Sequence, residues 1–121
     1  MPPADTVWIN PADSEVRFDP DTLRFGNLPE GEKAGVEIPF TNIGKRDLEI
    51  EVVSVCDCIL VDWTTEPVPP GKTGKITMIF NSSGYPGEVS KDIDVIFKNT
   101  DKNDYPLVKR VVFKANVLPK K

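Results

Sequence analysis

The sequence contains no histidine, and among its 121 residues only two are cysteine, two tryptophan and two tyrosine. The missing histidine removes the side chain that titrates near neutral pH and the commonest nitrogen ligand of zinc and copper. A general base would have to be a carboxylate of raised pKa, and no pair of carboxylates is framed by a recognisable cleft motif, so an enzyme is not expected. Ser82-Ser83-Gly84 makes the point: without histidine to deprotonate a serine, the stretch reads as a loop. Long apolar runs are also missing. Stretches such as Ile59-Leu60-Val61 fall far short of the roughly 20 residues of a membrane-spanning helix. Positive charge is in deficit, 15 basic against 19 acidic side chains for a net charge of −4, and the lysines are scattered apart from Lys109-Arg110 and Lys120-Lys121. That average field repels a phosphate backbone, so nucleic acid is not an expected partner. No cofactor is expected either.

What is present fits one soluble globular domain, with 39% apolar and 28% charged residues over a length that can bury a real core. Twelve prolines and eight glycines interrupt the chain at short intervals and leave little room for a long helix. Between these breaks the apolar period is two. Val36, Ile38 and Phe40 alternate with polar neighbours, as do Leu48, Ile50 and Val52; Ile76, Met78 and Phe80; Ile93, Val95 and Phe97; and Val111, Phe113, Ala115 and Val117. Each set is the inward face of a half-buried strand. A first strand is expected in Asp21 to Phe25, after an extended lead-in from Trp8 to Phe18. Pro29-Glu30-Gly31-Glu32, Asn42-Ile43-Gly44-Lys45, Pro69-Pro70-Gly71-Lys72 and Asn99-Thr100-Asp101 supply turn chemistry between the strands. About seven strands, with turns every 8–12 residues and no helix between them, predict an all-β fold, an immunoglobulin-like antiparallel β-sandwich. The expected division is a lead-in over residues 1–20, the sandwich over 21–118 and a tail at 119–121. Pro39, which cannot donate to a ladder, is expected on an edge strand or at a bulge.

The alternation changes phase near the cysteines. Even positions are apolar through Val52, whereas Val53, Val55, Ile59, Val61 and Trp63 are odd. One straight strand cannot bury both sets, so a bulge or a crossing between sheets is expected. Cys56 and Cys58 lie at this bend with Asp57 between them, and three readings of the pair stay open. A disulfide would close a very small loop and stabilise little; as a strained bond it would suit redox exchange, although Asp57 raises rather than lowers a neighbouring thiol pKa. As metal ligands, Cys56 and Cys58 could chelate Cu(I) or supply half of a zinc site, the remaining ligands coming from carboxylates such as Asp57 or Asp62. As plain fillers they would be a local clasp. Asp92-Ile93-Asp94 and Asp101-Lys102-Asn103-Asp104 offer oxygen ligands, but their spacing matches no calcium loop and they read as a solvated strand face and a turn. Trp63 is expected inside the sandwich. Trp8, in its proline-flanked lead-in, is the expected contact for a protein partner.

Leu23-Arg24-Phe25-Gly26, Glu30-Gly31, Phe40-Thr41-Asn42-Ile43-Gly44, Leu48-Glu49-Ile50, Cys56-Asp57-Cys58, Trp63, Pro70-Gly71, Ile76 to Phe80, Gly87 and Asn99 occur in an order and spacing that resembles the bacterial family called domain of unknown function 1573. The resemblance covers about residues 21 to 118. It implies an immunoglobulin-like sandwich similar to Hydin-type domains, an exported protein, periplasmic, lipoprotein-anchored or secreted, and no catalytic activity. The family pattern is Cys-Gly-Cys followed by threonine, where this chain has Asp57 and Ile59. The amino end, Met1-Pro2-Pro3-Ala4-Asp5, lacks the features of a signal peptide and is expected to be an internal or mature terminus. Two functions are therefore expected in competition. One is a noncatalytic structural or protein-interaction module presenting loops and strand edges; the other is a periplasmic thiol-redox or soft-metal (copper or zinc) handling protein acting through Cys56 and Cys58.

Overall fold

Alternation in the sequence becomes alternation of burial: along one strand Gly74, Ile76, Met78 and Phe80 are buried while Thr73, Lys75, Ile79 and Asn81 are exposed. The structure, a computed structural model, describes residues 11–18 and 21–119. After a 3-10 turn at Pro11–Ser14 come eight strands: β1 (Val16–Phe18), β2 (Thr22–Pro29), β3 (Lys33–Asn42), β4 (Ile50–Ser54), β5 (Ile59–Trp63), β6 (Thr73–Asn81), β7 (Gly87–Thr100) and β8 (Pro106–Leu118). They form two four-stranded sheets, one in the order β1-β3-β6-β5 and the other in the order β2-β8-β7-β4. The all-β sandwich expected from the alternation is therefore present. Two details differ from that expectation. There are eight strands rather than about seven, and β2 runs parallel to β8. The additional strand, β1, is three residues long, too short to show a period of its own. It nonetheless matters: Val16 and Phe18, with Ala12 just before them, are buried in the core. The sandwich thus takes in residues that read as a lead-in.

The two sheets meet through phenylalanines. Phe40 on β3 packs edge-on against Phe97 on β7 at 6.2 Å between ring centres, and Phe80 on β6 meets Phe113 on β8 at 5.4 Å. All four rings are at most 1% exposed. Such contacts contribute about 0.5–1.5 kcal/mol each beyond the burial of their area. Phe40 fits only because the residue opposite it on β6 is Gly74. A Cβ there would lie 2.4 Å from Cζ of Phe40, well inside contact distance.

Pro39 lies on β3, an interior strand, rather than at an edge, and the β3–β6 ladder has no bulge there. The register explains how it is tolerated. The N–H of Asn42 donates to the Lys72 carbonyl at 2.9 Å, so Asn42, Phe40 and Ile38 point their backbone groups at β6. Pro39, one residue out of phase, points its nitrogen towards the β1 side. The described β1 ladder stops at Phe18↔Phe40, where the missing N–H would be needed next.

Two buried polar side chains hold the ends of the sandwich. Asn42, 0% exposed, donates through Nδ2 to the carbonyls of Arg46 and Val68 at 2.7 and 2.8 Å and accepts the Gly44 N–H through Oδ1 at 2.9 Å. Arg46 in turn forms a bidentate pair with Glu15, at 2.6 and 2.9 Å, and donates to the Thr100 carbonyl. Its pKa is raised chiefly by the Glu15 hydrogen bond, so the tie stays charged. At the opposite end Ser82, also 0% exposed, donates to the Glu32 carbonyl at 2.6 Å and accepts the Gly31 N–H at 2.9 Å. The hydroxyl that might have suggested a nucleophile is a structural strut.

Gly74→Ala forces the added methyl into the Phe40 ring and is expected to destabilise the domain by about 1–3 kcal/mol. Gly35→Ala, at a position with nothing within 4 Å of the new Cβ, is expected to be neutral or stabilising by up to about 1 kcal/mol. Urea unfolding of the two variants checks both, and equal losses would contradict the packing account.

Candidate functional site at the sheet crossover

The segment that carries the cysteines is where the chain leaves one sheet for the other. The register of β4 on β7 jumps from Ile50↔Phe97 to Val52↔Ile96, which makes Glu51 the extra residue of a bulge. Ile50 and Val53 consequently both face inward, three positions apart. The phase change in the sequence is this bulge, followed within a few residues by the crossing: β4 belongs to one sheet and β5 to the other. Both devices expected at the bend are used.

Between the strands the backbone turns on itself. The Ile59 N–H donates to the Cys56 carbonyl at 3.1 Å, and the Asn81 N–H donates to the Cys58 carbonyl at 2.9 Å, which begins the pairing of β5 with β6. The turn brings the two cysteine Cα atoms to 5.3 Å, and their sulfurs are joined in a disulfide. Of the three readings left open by the sequence, the structure contains this one. Cys58 is buried at 8% exposure, Cys56 is half-buried and packed against the core, and Asp57 is exposed at the apex. Sulfurs bonded to each other offer no thiolate to a metal, and no group of three or more Cys, Asp or Glu positioned to hold an ion occurs among the described residues.

Beside the crossover, β5 is the free edge of its sheet, and its backbone is partly closed off. The Thr64 N–H donates to the Lys75 carbonyl as the Asn81 N–H does to Cys58, so even-numbered residues of β5 pair with β6. Ile59, Val61 and Trp63 therefore turn their backbone groups outward. Of their N–H groups, that of Ile59 is used in the turn, and that of Trp63 donates to its neighbour Asp62 Oδ1 at 2.9 Å. Only Val61 keeps an outward donor. Such shielding is how soluble sheets avoid unintended strand addition. The outer face of the same edge is less guarded: Leu60 is 68% exposed and pairs across to Ile79 at 38%. Behind Ile79 on β3 stands Gly35, which adds no side chain to cover it. Leu60 and Ile79 were not distinguished in the sequence. The signal for them is parity, since Ile59, Val61, Met78 and Phe80 face inward and their neighbours must face out.

The remaining sequence candidates have structural occupations. Trp63 is partly buried against the core, on the inward side of β5. Asp92 and Asp94 face solvent and share Arg110, whose guanidinium lies 3.6 and 2.8 Å from them and has its pKa raised chiefly by the Asp94 hydrogen bond. Asp101 Oδ1 accepts the N–H groups of Asn103 and Tyr105 at 2.7 and 3.1 Å, closing the β7–β8 hairpin through Asp104 at φ 65°. Trp8 lies outside the described residues. No helix among them is long and apolar enough to cross a membrane.

Fold and crossover together define an immunoglobulin-like β-sandwich. The chain belongs to the family described as "Protein of unknown function (DUF1573)", which matches residues 16–117. No curated protein matches it. Among solved structures, a protein of unknown function from Porphyromonas gingivalis W83 is similar with a TM-score of 0.69 and 18% identity, over 85% of this chain and 46% of that one. The ASH/PapD-like domain 7 of human CEP192 is similar with a TM-score of 0.71 and 13% identity, over 100% and 99%. The VesB protease of Vibrio cholerae is similar with a TM-score of 0.72 and 14% identity, over 91% of this chain and 34% of the protease. At these identities the likeness is one of fold.

The Cys56–Cys58 bond closes so short a loop that the chain-entropy term is only about 1–2 kcal/mol. Reduction is therefore expected to lower the unfolding free energy by no more than that, with the β-sheet circular dichroism spectrum unchanged. A urea titration with and without reductant measures it; a loss above about 3 kcal/mol would mean that the bond holds the sheets in register.

Proposed function

We infer that this domain is a noncatalytic protein-interaction module in an exported protein, meeting its partner at the β5 side of the sandwich. The observation that carries the reading is Leu60, an apolar side chain 68% exposed on an edge strand and backed by exposed Ile79. An apolar pair left uncovered beside a sheet edge is surface that a partner gains by burying. With a single outward donor left on β5, recognition rests on these side chains and the neighbouring loops more than on an added strand. Export is supported by the disulfide, a bond that persists in oxidising compartments. Absence of catalysis is supported by the lack of histidine, which leaves no side chain that ordinarily titrates near neutral pH to act as a general base.

A photoreactive residue at position 60 in the native host tests the reading. The expected result is a discrete adduct that disappears with Ile79→Asp and is not formed from position 17, on the same outer face at the β1 edge of the sheet. Adducts that form equally from both positions, or from neither, would count against it.

The half-buried Cys56 favours one alternative, a thiol–disulfide exchange protein. A thiolate of an external dithiol would attack Cys56 Sγ, release the Cys58 thiolate and form a mixed disulfide, which the second external thiol resolves; two electrons and two protons pass to the pair. Alkylation trapping in cells decides it, since a functional couple cycles between oxidised and reduced pools and a structural bond stays oxidised.

A further inference from the structure

The outer face of the second sheet carries a concavity of about 480 Å³ around the middle of β2. Its origin is a bulge. Arg24 and Asn27 are three residues apart, and in a regular strand they would point to opposite faces. The register shift between Arg24 and Gly26 cancels that, so that Arg24 pairs with Lys114 and Asn27 with Asn116, both outward-facing residues of β8. Gly26, at φ 93°, adopts the conformation that the bulge requires and leaves the space above it open. On the far side, β7 adds Ser90 to the first row and Glu88 to the second.

The first row sets two cations beside each other, and neither Arg24 nor Lys114 has an ion-pair partner among the described residues. Like charges directly across a ladder oppose folding. Here they form a positive spot on a molecule of net charge −4. In the second row Asn116 Nδ2 donates to Asn27 Oδ1 at 3.1 Å, which leaves Asn27 Nδ2 as a donor and Asn116 Oδ1 as an acceptor. The rows are two residues apart along β8, about 7 Å, and the second mixes donors with acceptors, including the Glu88 carboxylate.

We propose that this concavity is a binding site for an acidic saccharide, a sugar whose carboxylate or sulfate sits between Arg24 and Lys114 while ring hydroxyls meet Asn27, Asn116, Glu88 and Ser90. A guanidinium receives an oxyanion through two parallel hydrogen bonds, and a hydroxyl, which both donates and accepts, suits a row of mixed polarity. Glu88 disfavours a ligand that carries anions at both positions, such as a polyphosphate. The concavity opens on the face of the sheet, where side chains rather than backbone groups project, so an extended peptide laid across it finds no main chain to pair with. The volume falls within the range of small-ligand sites, about 300–1,000 Å³. The proposal stands apart from the β5 contact and does not depend on it.

Titration of the 15N-labelled protein with galacturonate, a sugar with a single carboxylate, tests it, alongside its methyl ester, inorganic sulfate and tetraglutamate. Galacturonate is expected to shift the amide resonances of Gly26, Ser90, Ala115 and Asn116 and to leave Leu60 unmoved. The ester, and the acid with Arg24→Gln or Lys114→Gln, are expected to bind more weakly by about tenfold or more, as loss of a charge-assisted hydrogen bond requires. Sulfate is expected to move only the first row. The exposed variants should keep the dispersed spectrum of the fold, so that lost binding is read in a folded protein. No shift with galacturonate, equal binding of acid and ester, shifts elsewhere on the molecule, or a response to tetraglutamate alone would overturn the assignment.

Discussion

Everything in this domain hangs on the packed contact between its two sheets. Phe40 against Phe97 and Phe80 against Phe113 set the spacing of the sandwich, and Gly74 makes the first contact sterically feasible. The only disulfide among the described residues is local to one turn. In many immunoglobulin domains a covalent bridge between sheets shares this task; here packing carries it. A core of this kind tolerates little change of volume.

The crossover at residues 54–59 is the geometric counterpart of that core. A chain that passes from one sheet to the other must end one ladder and begin the next within a few residues, and every backbone group in between needs a partner. The bulge at Glu51 re-phases β4, the turn from Cys56 to Ile59 reverses the chain, and the Asn81–Cys58 bond opens the second ladder. The sulfur bridge fastens the short stretch between the two ladders. Its position also sets which residues meet solvent at this edge, so the same few residues serve the fold and shape the surface on which Leu60 stands.

How far the sequence revealed this depends on the range of the interaction concerned. Period-two alternation is local, and it located β3, β6, β7 and β8 and most of their inward residues. The phase slip after Val52 is also local, and it announced a bulge or a crossing; that the chain uses both shows only in the pairing. Pairing partners are not local. Nothing in Val16-Arg17-Phe18 marks a strand until β3 is there to receive it, and the parallel run of β2 on β8 joins residues about ninety positions apart. Pro39 misleads because the rule for proline concerns one side of a strand only, and the side is fixed by register. The β2 concavity escaped for a similar reason: Arg24 and Asn27 read as opposite faces unless a bulge intervenes. Its one advance sign was Gly26 within an apolar pattern, a residue that often marks such an irregularity. The state of the cysteines needed the turn itself, since spacing alone allowed a bond, a pair of thiols or a metal.

The parallel pairing of β2 with β8 has a mechanical side. The early strand and the late one run the same way, so tension applied between residue 21 and residue 119 draws them past each other along their length. Opposed strands joined by a hairpin open one rung at a time when their ends are parted, whereas strands loaded in shear share the strain over the whole row of bonds from Thr22 to Pro29. Built this way, the module would resist being stretched lengthwise more than being peeled open from one side.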